Sequence, residues 1–140
     1  MSDAILLDTH AAIWFAANSL DAASIERLIS AALGDGILVS PVTAWEVGLL
    51  ARSPSRSAVL GLEAGALDWW ESLLAEPRIR QCKFDGSIAV ASTTLPGSFH
   101  PDPADRFLVA TARLLDCALM TRDEAILDYA AQGHVKVIPC

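Results

Sequence analysis

HPDPADRFLVATARLL, residues 100–115, sets two aspartates three positions apart at the mouth of an apolar helical run. Pro103 follows Asp102. Proline suits the first helical position, because its φ is already fixed and its missing N–H is not needed there. Asp102 is therefore expected to be the N-cap, with its carboxylate accepting backbone N–H bonds of the first turn. Asp105 falls at the third helical position and has no capping duty. The spacing predicts a helix over 102–116, and ALMT (118–121) follows at once as a short apolar strand.

Working outward, the same alternation recurs. AILLD (4–8) reads as a buried strand, followed by helical spacing in THAAIWFAAN (9–18). DAASIERLISAAL (21–33) is a second helix, with Asp21 as its cap, Ile25, Leu28, Ile29 and Ala32 as its apolar stripe, and Gly34 and Gly36 as its stop. ILVS (37–40) is a strand and PVTAWEVGLLAR (41–52) a helix opened by proline. Residues 53–64 read as a loop or weak helix, GALDWWESLLAE (65–76) as a helix, RIRQC (78–82) as an edge strand and GSIAVASTTL (86–95) as a short helix. DEAILDYAAQ (123–132) and VKVIP (135–139) close the chain as helix and strand. Continuous apolar strands need cover on both faces, so the pattern implies an α/β sandwich around a parallel sheet.

The totals narrow the class. A chain of 140 residues suits one domain, and 53% apolar with 19% charged residues excludes a disordered chain. No apolar run reaches the roughly 18 residues of a membrane span. MSDAILLDTH has no basic leader region, so the expected location is cytoplasmic. Cys82, Cys117 and Cys140 form no CxxC pair and read as free buried or terminal thiols. The net charge of −7 argues against a general nucleic-acid binder, unless the acids gather where cations bind them.

They do gather. Open α/β sheets bind ligands outside the carboxyl ends of their strands. Asp8 and Thr9 end the first strand, Ser40 ends the second with Thr43 and Glu46 close behind, and Thr121 ends the fourth with Asp123 two residues on. Asp105 opens the helix that feeds that fourth strand. Asp8 and Asp123 also fit helix N-caps, and Glu46 a solvated helix acid. The two lysines, Lys83 and Lys136, lie far from all four acids in sequence. Clustered carboxylates raise each other's pKa unless a cation joins them, and oxygen-rich sets suit Mg²⁺ or Mn²⁺. Such a cation can activate a water and stabilise charge on a phosphodiester. Arg106 and Arg122 adjoin quartet acids and are candidate phosphate contacts; Arg52, Arg56, Arg78 and Arg80 could line a groove. His10 and His100 lack paired-ligand spacing and read as structural or capping residues, and His134 as a surface residue.

Rival aspartate-bearing α/β classes fit less well. A receiver-like domain needs a lysine after the last strand, a haloacid-type phosphatase needs DxD where this chain has DTH (8–10), and no GxxxxGK[ST] loop is present.

Four segments carry a family resemblance over essentially the whole chain: ILLDTHAAIW (5–14), SPVTAWEVGLL (40–50), LPGSFHPDPADRFLVATARLL (95–115) and ALMTRDEAIL (118–127). The chain resembles PIN domains, and among them the VapC-type toxins of toxin–antitoxin pairs. The resemblance implies a PIN-like three-layer sandwich with a five-stranded parallel sheet, over 1–140 as a single ribonuclease domain. It implies a Mg²⁺- or Mn²⁺-dependent endoribonuclease with Asp8, Glu46, Asp105 and Asp123 as metal ligands and Thr121 beside them. It implies a cognate antitoxin and a homodimer as partners, to which exposed parts of Ile13, Trp14, Phe15, Trp45, Trp69 and Trp70 could contribute. Pro101 stands where the family commonly has a basic or polar residue, and 53–80 matches only generally. The alternative is a catalytically silent interaction module of the same fold.

Overall fold

A computed structural model describes residues 2–140 and contains a five-stranded parallel sheet of order β3-β2-β1-β4-β5. The strands are β1 (Ile5–Leu7), β2 (Ile37–Val39), β3 (Ile79–Gln81), β4 (Ala118–Thr121) and β5 (Val137–Pro139). Every side chain of β1 and β2 is buried, as expected of parallel strands covered on both faces.

Two cores follow from the period-2 alternation of those strands. Ile5, Leu7, Ile37, Val39 and Met120 point into one core with α1 (Thr9–Ala16), α2 (Ala22–Leu33), α3 (Pro41–Leu50) and α5 (Ala66–Leu74). Leu6, Leu38 and Leu119 point into the other, with α7 (Pro103–Leu115) and α8 (Glu124–Ala131). Helices therefore layer both faces of the sheet. Ala104, Leu108, Val109 and Ala112 form the sheet-facing stripe of α7, at helical spacing.

Of the two readings of 53–64, loop or weak helix, the structure has the helix: seven residues, α4 (Pro54–Leu60). The Ser53 hydroxyl caps it, Pro54 opens it, and Gly61 closes it with φ of 72°, a left-handed value that glycine adopts without strain. The helix expected over 86–95 divides into α6 (Gly86–Ala91) and a 3₁₀ turn at Ser92–Thr94. Cys82 and Cys117 are free and buried, and Cys140 is free and partly covered.

Strand order places the site. From β1 the chain runs outward to β2 and β3, then returns across β1 to β4 and β5. The reversal lies between β1 and β4, so the carboxyl ends of those two strands border the crevice where such sheets bind ligands. Asp8 follows β1 directly, and Thr121 is the last residue of β4.

Candidate active site

Asp8 is buried at the reversal and serves two partners. Oδ1 accepts the Ala11 N–H at 2.7 Å, capping α1, and Oδ2 accepts the Thr121 hydroxyl. The Thr121 oxygen in turn accepts the Asp123 N–H at 3.0 Å. One fully buried hydroxyl thus ties the end of β1 to the start of α8. Asp123 caps α8, its Oδ1 accepting the Ile126 N–H at 3.0 Å, while the residue remains exposed. Glu46 projects from α3 and accepts the Thr9 hydroxyl; Thr9 lies 3.2 Å from the Thr43 hydroxyl, and both threonines are buried. The capping and ligand readings of Asp8 and Asp123 are compatible, because an ionised carboxylate offers about four lone-pair sites.

Asp102 and Asp105 divide as expected in geometry. Asp102 is the exposed N-cap of α7, accepting the Ala104 N–H at 3.0 Å. Asp105 is half-buried in the first turn and points toward the other acids, which all act on its charge. Asp102→Ser, which retains a capping oxygen, is expected to keep most RNA cleavage and to leave the melting temperature within a few degrees. Asp102→Ala is expected to cost about 1 kcal/mol of stability, the usual loss of a cap. Thermal melts and an RNA cleavage assay on both proteins check this. Asp102→Ser activity as low as that of an Asp105 variant would overturn the division of labour.

The electrostatics are those of a crowded anionic pocket. Burial lifts the Asp105 carboxyl to about 7, and Asp102, Asp123, Glu46 and Asp8 push it the same way. Burial also raises Asp8, against the opposing bonds from Thr121 and Ala11, and raises Glu46, against the bond from Thr9. Every one of these shifts would reverse beside a divalent cation.

Sequence reasoning missed one participant. His100 was read as structural or capping, yet its Nε2 lies 3.1 Å from Asp105 Oδ2. Ligand atoms of His100, Asp105 and Asp123 all lie within 4.8 Å of one another. The Nε2 atom is shut off from solvent and has no hydrogen-bond partner. A buried orphan nitrogen beside converging carboxylates is a donor set that fits a divalent cation, and on that ground the residues suit a metal.

The model of the PIN domain family matches residues 5–132. The chain belongs to the PIN-domain family. It is also 30% identical over 135 residues to Ribonuclease VapC22 of Mycobacterium tuberculosis, covering 95% of this chain and 97% of that one. Among solved structures, VapBC2 from Rickettsia felis bound to a promoter DNA fragment aligns with a TM-score of 0.70 at 12% identity, over 97% of this chain and 98% of that one. FitAcB from Neisseria gonorrhoeae aligns with a TM-score of 0.56 at 22% identity, over 96% of each chain. At those identities the two structures speak for the fold.

Within this PIN domain the arginines sort by their contacts. Arg106 turns inward: Nε donates to Ser92 O at 2.9 Å, and Nη1 to Phe99 O at 3.1 Å and His100 O at 3.4 Å. Arg122 donates to Cys140 O at 2.7 Å and lies over the Trp14 ring, 3.9 Å from its centroid. Arg78 pairs with Glu76 at 2.8 Å, and Arg80 donates to Asp35 O at 2.6 Å. Arg52 and Arg56 are exposed near the α3–α4 junction.

A groove of about 730 Å³ opens between the first two helices and α4–α5, away from the acids. Phe15, Ile25, Ile29, Leu60 and Trp69 line it. Leu28 and Ala31 carry the core face of α2, whereas Ile29 is 48% exposed, so the apolar stripe of that helix is wider than the core uses.

Proposed function

We propose that this PIN domain is a metal-dependent endoribonuclease, the toxin of a toxin–antitoxin pair, acting as one catalytic domain over 1–140 in the cytoplasm. The observation that carries the reading is the convergence of Asp8, Glu46, Asp105 and Asp123 on the sheet reversal, with the Asp105 carboxyl lifted to about 7 by burial and by its acidic neighbours. The relative named as a ribonuclease supports the reaction class. Among the described residues, no helix is long and apolar enough to cross a membrane.

The residues have distinct jobs in this reading. Asp105, Glu46 and Asp8 would hold the cation, and Asp123 would hold a second cation or orient a water. When bound, Mg²⁺ or Mn²⁺ supplies an activated water and offsets charge on the phosphodiester. Thr121 fixes the Asp8 carboxylate and the start of α8 in one register, and Thr9 does the same for Glu46. Arg106 and Arg122 remain the proposed RNA contacts beside the pocket, through whatever donors their inward bonds leave free.

A cognate antitoxin is the proposed protein partner. A structural neighbour from Klebsiella pneumoniae is a toxin–antitoxin complex by name, and the apolar groove between the first two helices and α4–α5 suits an amphipathic segment. The exposed Trp45 and Leu49 on α3 offer an apolar face for the expected second copy.

The test is cleavage of a structured RNA by purified, antitoxin-free protein. Products are expected with Mg²⁺ or Mn²⁺ and none with EDTA. Cleavage that survives EDTA would defeat the metal-dependent reading. Failure of the cation-loaded protein to cut any RNA of a tRNA, ribosomal RNA and mRNA panel would favour the silent interaction module.

A further inference from the structure

We infer that His100 is a ligand of the divalent cation, presenting Nε2 beside the carboxylates of Asp105 and Asp123. The inference rests on the cation-dependent reading above and adds a nitrogen to an otherwise all-oxygen set.

Three observations carry it. First, the spacing is right. Two adjacent ligands about 2.1 Å from one octahedral cation stand about 3 Å apart, and His100 Nε2 is 3.1 Å from Asp105 Oδ2. Second, the nitrogen has no other occupation. Nε2 is withdrawn from solvent and makes no hydrogen bond, although a buried polar atom is ordinarily paired. An ion pair built for its own sake would aim the N–H at the carboxylate. Third, the ring is held in place. Its edge packs on Phe99, with centroids 4.4 Å apart, and Phe99 packs on buried Tyr129 at 4.7 Å. The Tyr129 hydroxyl holds Pro96 O, and Arg106 holds the carbonyls of Ser92, Phe99 and His100 itself. Such outer contacts orient a ligating imidazole.

Ligation through Nε2 places the imidazole proton on Nδ1 and gives up the Asp102 N–H contact to that atom. At 3.4 Å this contact is longer than an ordinary hydrogen bond, and water can serve the exposed Asp102 in its place. The chemical consequence is selectivity. Mg²⁺ takes oxygen ligands and keeps its waters, whereas an imidazole adds affinity for transition metals such as Mn²⁺.

The experiment loads the antitoxin-free full chain with Mn²⁺ and records electron spin-echo modulation, with calorimetric titration of Mn²⁺ and of Mg²⁺. Wild type is expected to show ¹⁴N modulation from a directly bound imidazole. His100→Phe, which keeps a ring on Phe99, and His100→Gln are expected to lose that signal. Both should bind Mn²⁺ about tenfold or more weakly, with a smaller change for Mg²⁺. Asp105→Asn should weaken both metals. The wild-type spectrum decides even if a variant folds poorly. Mn²⁺ bound at the Asp105-dependent site without coordinated nitrogen, at an affinity unchanged by His100→Phe, would overturn the inference and leave the cation reading standing. Absence of any Mn²⁺ or Mg²⁺ binding by wild type would overturn both.

Discussion

Asp105→Asn protein is expected to cleave RNA about a thousandfold more slowly than wild type, and yet to melt at a higher temperature in EDTA at pH 8. The first effect corresponds to about 4 kcal/mol of transition-state stabilisation lost with one cation ligand. The second follows from the pocket's own repulsion. Burial, and then Asp102, Asp123, Glu46 and Asp8 around it, lift half-buried Asp105 to about 7, so at pH 8 its charge is forced into a crowded anionic pocket. The amide has nearly the same shape and no charge. Relief of even part of the penalty should raise the metal-free melting temperature by roughly 5 °C. The pairing of lost activity with gained stability is the signature of a residue kept for chemistry rather than for the fold. Activity near that of wild type, with melting unchanged, would remove Asp105 from the site.

Metal-free protein should become less stable as the pH rises from about 5 to 8, and a divalent cation should reverse that slope. The sign follows from the direction of the shift. Asp105 moves from 3.8 in the unfolded chain to about 7 in the folded one, so between those values the folded state binds more protons. The contribution is full below about pH 4 and is lost as the pH passes through 7. Its size is on the order of 3 kcal/mol. Asp8 and Glu46 are raised as well and act in the same sense. Below about pH 4 the opposite group takes over: Asp21, held down chiefly by the Ser24 N–H, and Asp85, by that of Ile88, lose their bonds on protonation. Stability in EDTA should therefore peak near pH 4. With excess Mn²⁺ the bound carboxylates shed their protons, affinity climbs with pH, and the melting temperature should rise toward pH 8. Melts across pH in EDTA and in Mn²⁺ test both halves. An EDTA curve flat from pH 5 to 8 would mean that the acids do not share a pocket.

Much of this was legible from local chemistry. Asp102 before Pro103, Asp21 before its apolar stripe and Asp123 before α8 all cap helices, because a short side-chain oxygen at that position meets orphan N–H groups wherever the helix later packs. The acids could be grouped because each follows or feeds a strand, and strand ends share an edge. His100 could not be found this way. It lies in an irregular stretch before Pro101, where no period assigns a face, and its direction is set by Phe99, Tyr129 and Arg106. Arg106 itself illustrates the limit. Beside a quartet acid in sequence it reads as an RNA contact, while the donors described above are turned onto three carbonyls that only the folded loop brings near. The helix at Pro54–Leu60 reads only as a loop or weak helix because of its serines, which are poor helix formers in the interior but good at its start, as Ser53 is.

The bond between Thr121 and Asp8 spans 113 residues of chain. During synthesis Asp8 emerges first and waits, and β1 has β2 beside it long before β4 arrives on its other edge. At about 5–20 residues per second, that wait lasts roughly 6–23 s. Until then the emerging polypeptide lacks Asp123 and the Thr121 hydroxyl that holds the Asp8 carboxylate, so the proposed site is incomplete. An interrupted translation therefore leaves a fragment without the full acidic set, and the proposed cleavage can begin only when nearly the whole message has been read.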